Sequence, residues 1–217
     1  MTAEDKRCLA VLSILEQTHK GKGTALQYGS IFQLLVAVML SAQTNDNQVN
    51  KITAGLFQRY GDAAAFARLN ADELIPHISS CGLYKNKAKN IIATARVICE
   101  QYGGEVPRDK ESLTALPGVG GKTANVVLSA GFGIPALAVD THVFRVARRL
   151  GLAKGKTPTL VEQELCALIP REKWGEAHHW LIWQGRLICR AHKPLCNDCP
   201  LYELCPKAKN EKNGECV

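Results

Sequence analysis

Between two stretches that read as helix, the segment Leu116-Pro-Gly-Val-Gly-Gly-Lys-Thr-Ala124 packs one proline and three glycines into five consecutive positions. Proline ends a helix, and glycine supplies backbone conformations closed to other residues. The chain must therefore reverse there, giving helix, hairpin, helix. Asp109 to Leu116 reads as a short polar helix before the turn, and Lys122 to Gly131 as an apolar core helix after it. Gly118 and Gly120 lack a β-carbon, so a phosphate can come close to backbone N–H groups at the second helix start. Such a grip holds a nucleic-acid backbone without reading bases. A nucleotide-binding P-loop is excluded on two counts. Leu116 stands where that motif needs its first glycine, and the flank is a polar helix instead of a buried strand.

Lys122 is an unfavourable residue for this position, because a helix start carries partial positive charge. The same field favours the neutral amine, which is the nucleophilic form. Eighteen residues on, Asp140 precedes Thr141-His142-Val143-Phe144 and reads as a helix N-cap. A capping carboxylate is also available to take a proton or to stabilise a developing cation.

Four of the nine cysteines, Cys189, Cys196, Cys199 and Cys205, fall in one short segment spaced C-x6-C-x2-C-x5-C. The first twenty residues are charged, with no unbroken apolar stretch, so no secretion signal is expected and the compartment is expected to be reducing. Clustered thiols there bind metal. Four thiolates in a compact loop suit a [4Fe–4S] cube. A zinc site remains the alternative, although only a single C-x2-C knuckle is present. Cys8, Cys81, Cys99, Cys166 and Cys216 read as ordinary core or surface residues.

The rest of the chain reads as helices, with no convincing two-residue alternation, and the fold class is all-α. Glu4 to His19 carries Leu9, Leu12 and Leu15 at helical spacing, and Ser30 caps an apolar helix through Ala42. Asp46 to Tyr60, two short helices and Lys85 to Tyr102 follow, the last stopped by Gly103-Gly104. Asp140 to Leu150, Pro158 to Leu168 and Glu172 to Arg186 complete the set. Gly131-Phe-Gly-Ile-Pro135 is the best internal boundary. No apolar run is long enough to span a membrane. Lysine and arginine exceed aspartate and glutamate by seven, a balance that suits a polyanionic partner. The segment from Lys207 to Val217 is polar and expected to fray.

The order hairpin-lysine, Val139-Asp140-Thr141-His142 and then the cysteine spacing resembles the endonuclease III family of iron–sulfur DNA glycosylase/lyases, from about Ser30 to Cys205. Ser41-Ala42-Gln43-Thr44 and Gly82-Leu83-Tyr84 add to the match. The resemblance implies a two-lobed helix-hairpin-helix glycosylase fold. Residues 24–134 would form a six-helix barrel, and residues 1–23 with 135–217 an iron–sulfur lobe, with a cleft for an extruded nucleotide between them. It implies Lys122 as the nucleophile forming a Schiff base, Asp140 as its acidic partner, and the four cysteines as ligands of a [4Fe–4S] cluster. Gln43 and Leu83 would fill the gap left by the extruded base, with His142 nearby. Arg186, Arg190, Lys193, Lys207 and Lys209, around the cysteine loop, would face phosphates. The expected partner is double-stranded DNA with damaged bases or abasic sites. The expected protein is a monomer, cytoplasmic and chromosome-associated, with no membrane contact. A mismatch-directed glycosylase of the same fold and a non-catalytic iron–sulfur DNA-binding protein are the other readings. Gly121 stands where many relatives carry a basic residue, and Asn45 and Asn47 lie in a loop that varies among them.

Overall fold

The computed structural model describes residues 2–208; Lys209 and Cys216 lie outside them. Among the described residues the regular structure is helical, with no strand, and no helix is long and apolar enough to cross a membrane. The chain divides into two compact units, Thr24–Ile134 and Met1–Gly23 with Pro135–Val217.

The first unit is built around α2 (Ile31–Ser41), which Ser30 caps by accepting a hydrogen bond from Gln33 N. Its residues from Leu34 to Leu40 are all buried, so this helix has no solvent face. Around it pack α3 (Asp46–Arg59), α6 (Tyr84–Tyr102) and α8 (Gly121–Val126), while α4 (Ala63–Ala67) and α5 (Ala71–Ile78) lie on α6. Helix α7 (Lys110–Ala115) precedes the hairpin and contacts α8. Helix α6 stops at Gly103, which is left-handed, with Gly104 N closing on Ile98 O as glycine-terminated helices do.

The expected single helix from Lys122 to Gly131 is in fact two: α8 gives way to a π-turn over Val127–Gly131. Packing accounts for the change. A β-carbon on Gly131 would come within 3.2 Å of Ile31 and Leu34 of α2, and the Tyr28 hydroxyl donates to the displaced Ala130 carbonyl at 3.1 Å. Widened turns of this kind recur beside functional sites.

The second unit joins α1 (Ala3–His19) to α9 (Thr141–Arg149), α10 (Pro158–Leu168) and α11 (Trp174–Leu187). Thr2 and Asp5 form a reciprocal capping box on α1. Its buried stripe is Cys8, Val11, Leu12, Leu15 and His19, and Leu9 is instead 44% exposed. Position 9 lies one residue off the i, i+3, i+4, i+7 stripe begun by Cys8, and helical rotation turns it outward. The stripe packs into one core with Val143, Val146, Leu165, Trp180 and Leu181, against which Cys189, Cys199 and Cys205 rest.

Candidate catalytic and DNA-binding site

The hairpin is held from below by α6. Leu116 and Val119 are buried anchors, Val119 N bonds Leu116 O at 3.1 Å, and the Thr94 hydroxyl donates to Pro117 O at 2.8 Å. Gly118 has φ +75°, and a β-carbon there would meet Asn90 side-chain atoms at 2.6–2.9 Å. Glycine is thus required twice over, by conformation and by space. Gly120 is the N-cap of α8, supplies no side-chain cap, and has open space around its α-carbon. The first amides of α8 therefore start without a side-chain acceptor. Lys122, the second residue of α8, is exposed.

The same unit brings together two loops that are far apart in sequence. Gln43 and Leu83 are both exposed and both left-handed, each with φ 57°. Leu83 leads into α6 without a side-chain cap and is 57% exposed. The loops touch through Gly82, where a β-carbon would lie 3.1 Å from Gln43 O, and Gly82 N donates to the Thr44 hydroxyl at 3.3 Å. Gln48 Nε2 adds a bond to Ser80 Oγ at 2.9 Å. Asn45 is the N-cap of α3, accepting from Gln48 N at 2.9 Å, whereas Asn47 is merely exposed.

In the other unit Asp140 caps α9, its Oδ1 accepting from Val143 N at 2.8 Å, as its place before Thr-His-Val implied. The half-buried His142 accepts from Arg145 at Nδ1, 3.2 Å away. Burial pushes its pKa down, with Arg145 and Arg186 adding to the effect and Asp140 and a hydrogen bond to the Gly185 backbone opposing it.

Two arginines one turn apart on α9 fasten the start of the cysteine loop, and no sequence pattern singled them out. Arg145 donates to Cys189 O at 3.1 Å and Gly185 O at 3.0 Å. Arg149 donates to Arg190 O at 2.6 Å and Ala191 O at 3.2 Å, and points an N–H at Cys189 Sγ from 3.6 Å. Gln184 Nε2 donates to Cys199 Sγ at 3.3 Å, while its Oε1 meets His19 Nε2 at 2.9 Å. The side chains of Cys189, Cys196, Cys199 and Cys205 line one pocket with Leu150, Ile188 and Leu195. Burial pushes the Cys199 thiol up, and the nearby Cys205 and Cys189 add to this. Among the described residues no three Cys, His, Asp or Glu side chains close on a point that would hold one metal ion.

The expected phosphate contacts divide by exposure. Arg190 and Lys193 are exposed, and Lys193 is left-handed with φ 48°. Arg186 is half-buried and sits 5.5 Å from the centre of the Trp183 ring, which Lys22 also approaches.

Comparison with known proteins places the chain in a family. Residues 36–171 match the HhH-GPD superfamily base excision DNA repair protein family. Endonuclease III of Rickettsia felis is 50% identical over 196 residues, covering 90% of this chain and 92% of that protein. Endonuclease III of Escherichia coli K12 is 47% identical over 197 residues, covering 91% and 93%. Among solved structures, a trapped endonuclease III–DNA covalent intermediate superposes with a TM-score of 0.93 at 42% identity, covering 98% of this chain and all of that one. A thermostable thymine-DNA glycosylase gives 0.85 at 25% identity, covering 96% and all of that chain. This chain therefore belongs to the HhH-GPD superfamily of base excision DNA repair proteins, within its endonuclease III family.

Proposed function

We propose that this protein is a bifunctional DNA glycosylase and abasic-site lyase for oxidised or ring-damaged pyrimidines, working through a Schiff base on Lys122. One observation carries the reading. Lys122 is an exposed amine in the first turn of α8, directly behind the Gly118–Gly120 hairpin, in a chain 42% identical to an endonuclease III trapped covalently on DNA.

The neutral Lys122 amine adds to C1′ of the sugar, and the bond from C1′ to the base breaks, the base leaving with the electron pair and a proton. Ring opening yields a protonated Schiff base at C1′. Its positive charge acidifies C2′; loss of that proton expels the 3′ phosphate by β-elimination, and water then releases the lysine. Asp140, the acidic partner that the family resemblance implies, supplies a carboxylate for general-base catalysis and for stabilising the cationic sugar, its Oδ1 also accepting from Val143 N. Gln43 and Leu83, exposed on two loops that meet at Gly82, fill the gap when a nucleotide leaves the stack. The hairpin amides, Arg190 and Lys193 hold phosphates.

Cys189, Cys196, Cys199 and Cys205 would hold a [4Fe–4S] cluster, and their sharing one pocket supports this. Ligands of a cube bond to four different irons and need not close on one point. When bound, the cluster supplies four covalent ties to a loop that has little regular structure of its own.

The test is borohydride trapping on duplex DNA carrying thymine glycol or an abasic site. A covalent complex is expected with the unsubstituted protein, and Lys122→Gln is expected to abolish it. Trapping that survives the substitution assigns the nucleophile to another amine.

A further inference from the structure

Lys87 is a buried cation outside the chemistry described so far. It lies on the apolar stripe of α6 with Ala88, Ile91, Ile92 and Ala95, and is only 7% exposed. Its ammonium reaches the end of α2 and the loop beyond, donating to Leu40 O at 2.7 Å, Ala42 O at 2.5 Å and the Thr44 hydroxyl at 3.2 Å. Three donors thus meet three neutral oxygens. Leu40 and Ala42 belong to the C-terminal turn and cap of α2, where carbonyls lack helical partners and the dipole favours a cation. Burial costs the ammonium hydration and pushes its pKa down, so so exact a docking signals a structural need for it at this point.

That need is the conformation of the loops that follow. The three acceptors bracket Gln43, one of three non-glycine residues with positive φ among the described residues. Thr44 passes the hold onward, since its hydroxyl also accepts from Gly82 N, beside the left-handed Leu83. One side chain from α6 therefore fastens both strained, exposed residues at once. Left-handed conformations are unfavourable for a residue with a side chain and persist where surrounding contacts over-determine them.

We propose that Lys87 is a positioning residue that presets the Gln43 and Leu83 loops in the arrangement that fills the DNA stack, so that extruding a nucleotide needs no loop ordering. The inference rests on the reading of these two residues as gap-filling. It predicts a defect confined to substrates that must be unstacked from a paired duplex.

The experiment compares Lys87→Met and the milder Thr44→Val with the unsubstituted protein on two substrates. One is a fully paired duplex with thymine glycol; the other is an abasic site in single-stranded DNA, where there is no stacked pair to open. Visible absorbance and thermal melting confirm a folded, loaded protein. Base release from the duplex is expected to fall about tenfold or more for Lys87→Met, less for Thr44→Val, because the loops must then be ordered in the same step that unstacks the nucleotide. Cleavage and borohydride trapping on the single strand are expected to stay within about twofold, since the Lys122 chemistry is untouched. Equal losses on both substrates, or no loss on the duplex in either variant, would overturn the proposal. If Lys87→Met fails to fold, the substrate ratio for Thr44→Val decides in the same way. Unsubstituted protein that neither cleaves nor traps on the single strand would instead remove the lyase reading.

Discussion

A β-carbon on Gly118 would lie 2.6 Å from Asn90 Nδ2, so the hairpin and α6 meet at a distance that only a glycine permits. Gly118→Ala must either push Asn90 aside or lift the hairpin, and must also hold alanine at φ +75°. The conformational part alone costs about 1–2 kcal/mol. We expect a lower melting temperature and weaker binding to undamaged duplex, measured by thermal denaturation and by titration at fixed salt. Unchanged values for both would separate the hairpin from DNA binding.

Leu83→Ala is expected to leave stability nearly unchanged, because the side chain is 57% exposed. Release of a damaged base from duplex DNA should fall severalfold, since the truncated residue fills less of the vacated space. Single-turnover excision assays read this directly. A melting temperature lowered by many degrees would identify Leu83 as a core residue instead.

Arg149→Ala removes two hydrogen bonds to the carbonyls of Arg190 and Ala191 and one contact to Cys189 Sγ. Each charge-assisted bond contributes about 1.5–3 kcal/mol at most, and the loop it holds carries the expected cluster ligands. The variant should lose its visible iron–sulfur absorbance faster than the unsubstituted protein when challenged with chelator or oxidant. Identical decay curves would show that the cysteine loop holds itself.

Burial lowers the pKa of His19, His142 and His179 below the ordinary value of 6.5. A histidine with a depressed folded pKa binds its proton more readily in the unfolded chain. Its stabilising contribution is therefore complete above about pH 6.5 and is lost as pH falls towards the folded value. Melting temperature should drop between pH 7 and pH 5. His19, 1% exposed and bonded to Gln184, should account for part of the slope, and His19→Gln should flatten it. A slope unaltered by this substitution would assign the acid sensitivity elsewhere.

Much of this was legible before any coordinates. Helix limits at Ser30, Asp140, Gly103 and Pro158 could be read because a capping side chain, a left-handed glycine and a first-turn proline each act on the nearest few backbone groups. The Pro117–Gly121 reversal and the cysteine spacing are equally local. Lys87 was invisible for the opposite reason. In sequence it is one lysine among Lys85, Lys87 and Lys89, and only the packing of α6 against the end of α2 turns it inward. Arg145 and Arg149 hid in the same way, their partners lying about forty residues downstream.

By itself, then, the amino-acid order determined the all-helical class, the hairpin with its lysine, the capped aspartate and the grouped thiols, since each is written in contiguous residues. Tertiary structure alone decided that Gly131 passes α2 closely through a π-turn, that Gly82 presses on Gln43, and that a buried ammonium closes α2. Those contacts join residues dozens of positions apart, where hydrophobic burial chooses the neighbours and hydrogen bonding is then satisfied by whatever donor the packing brings near.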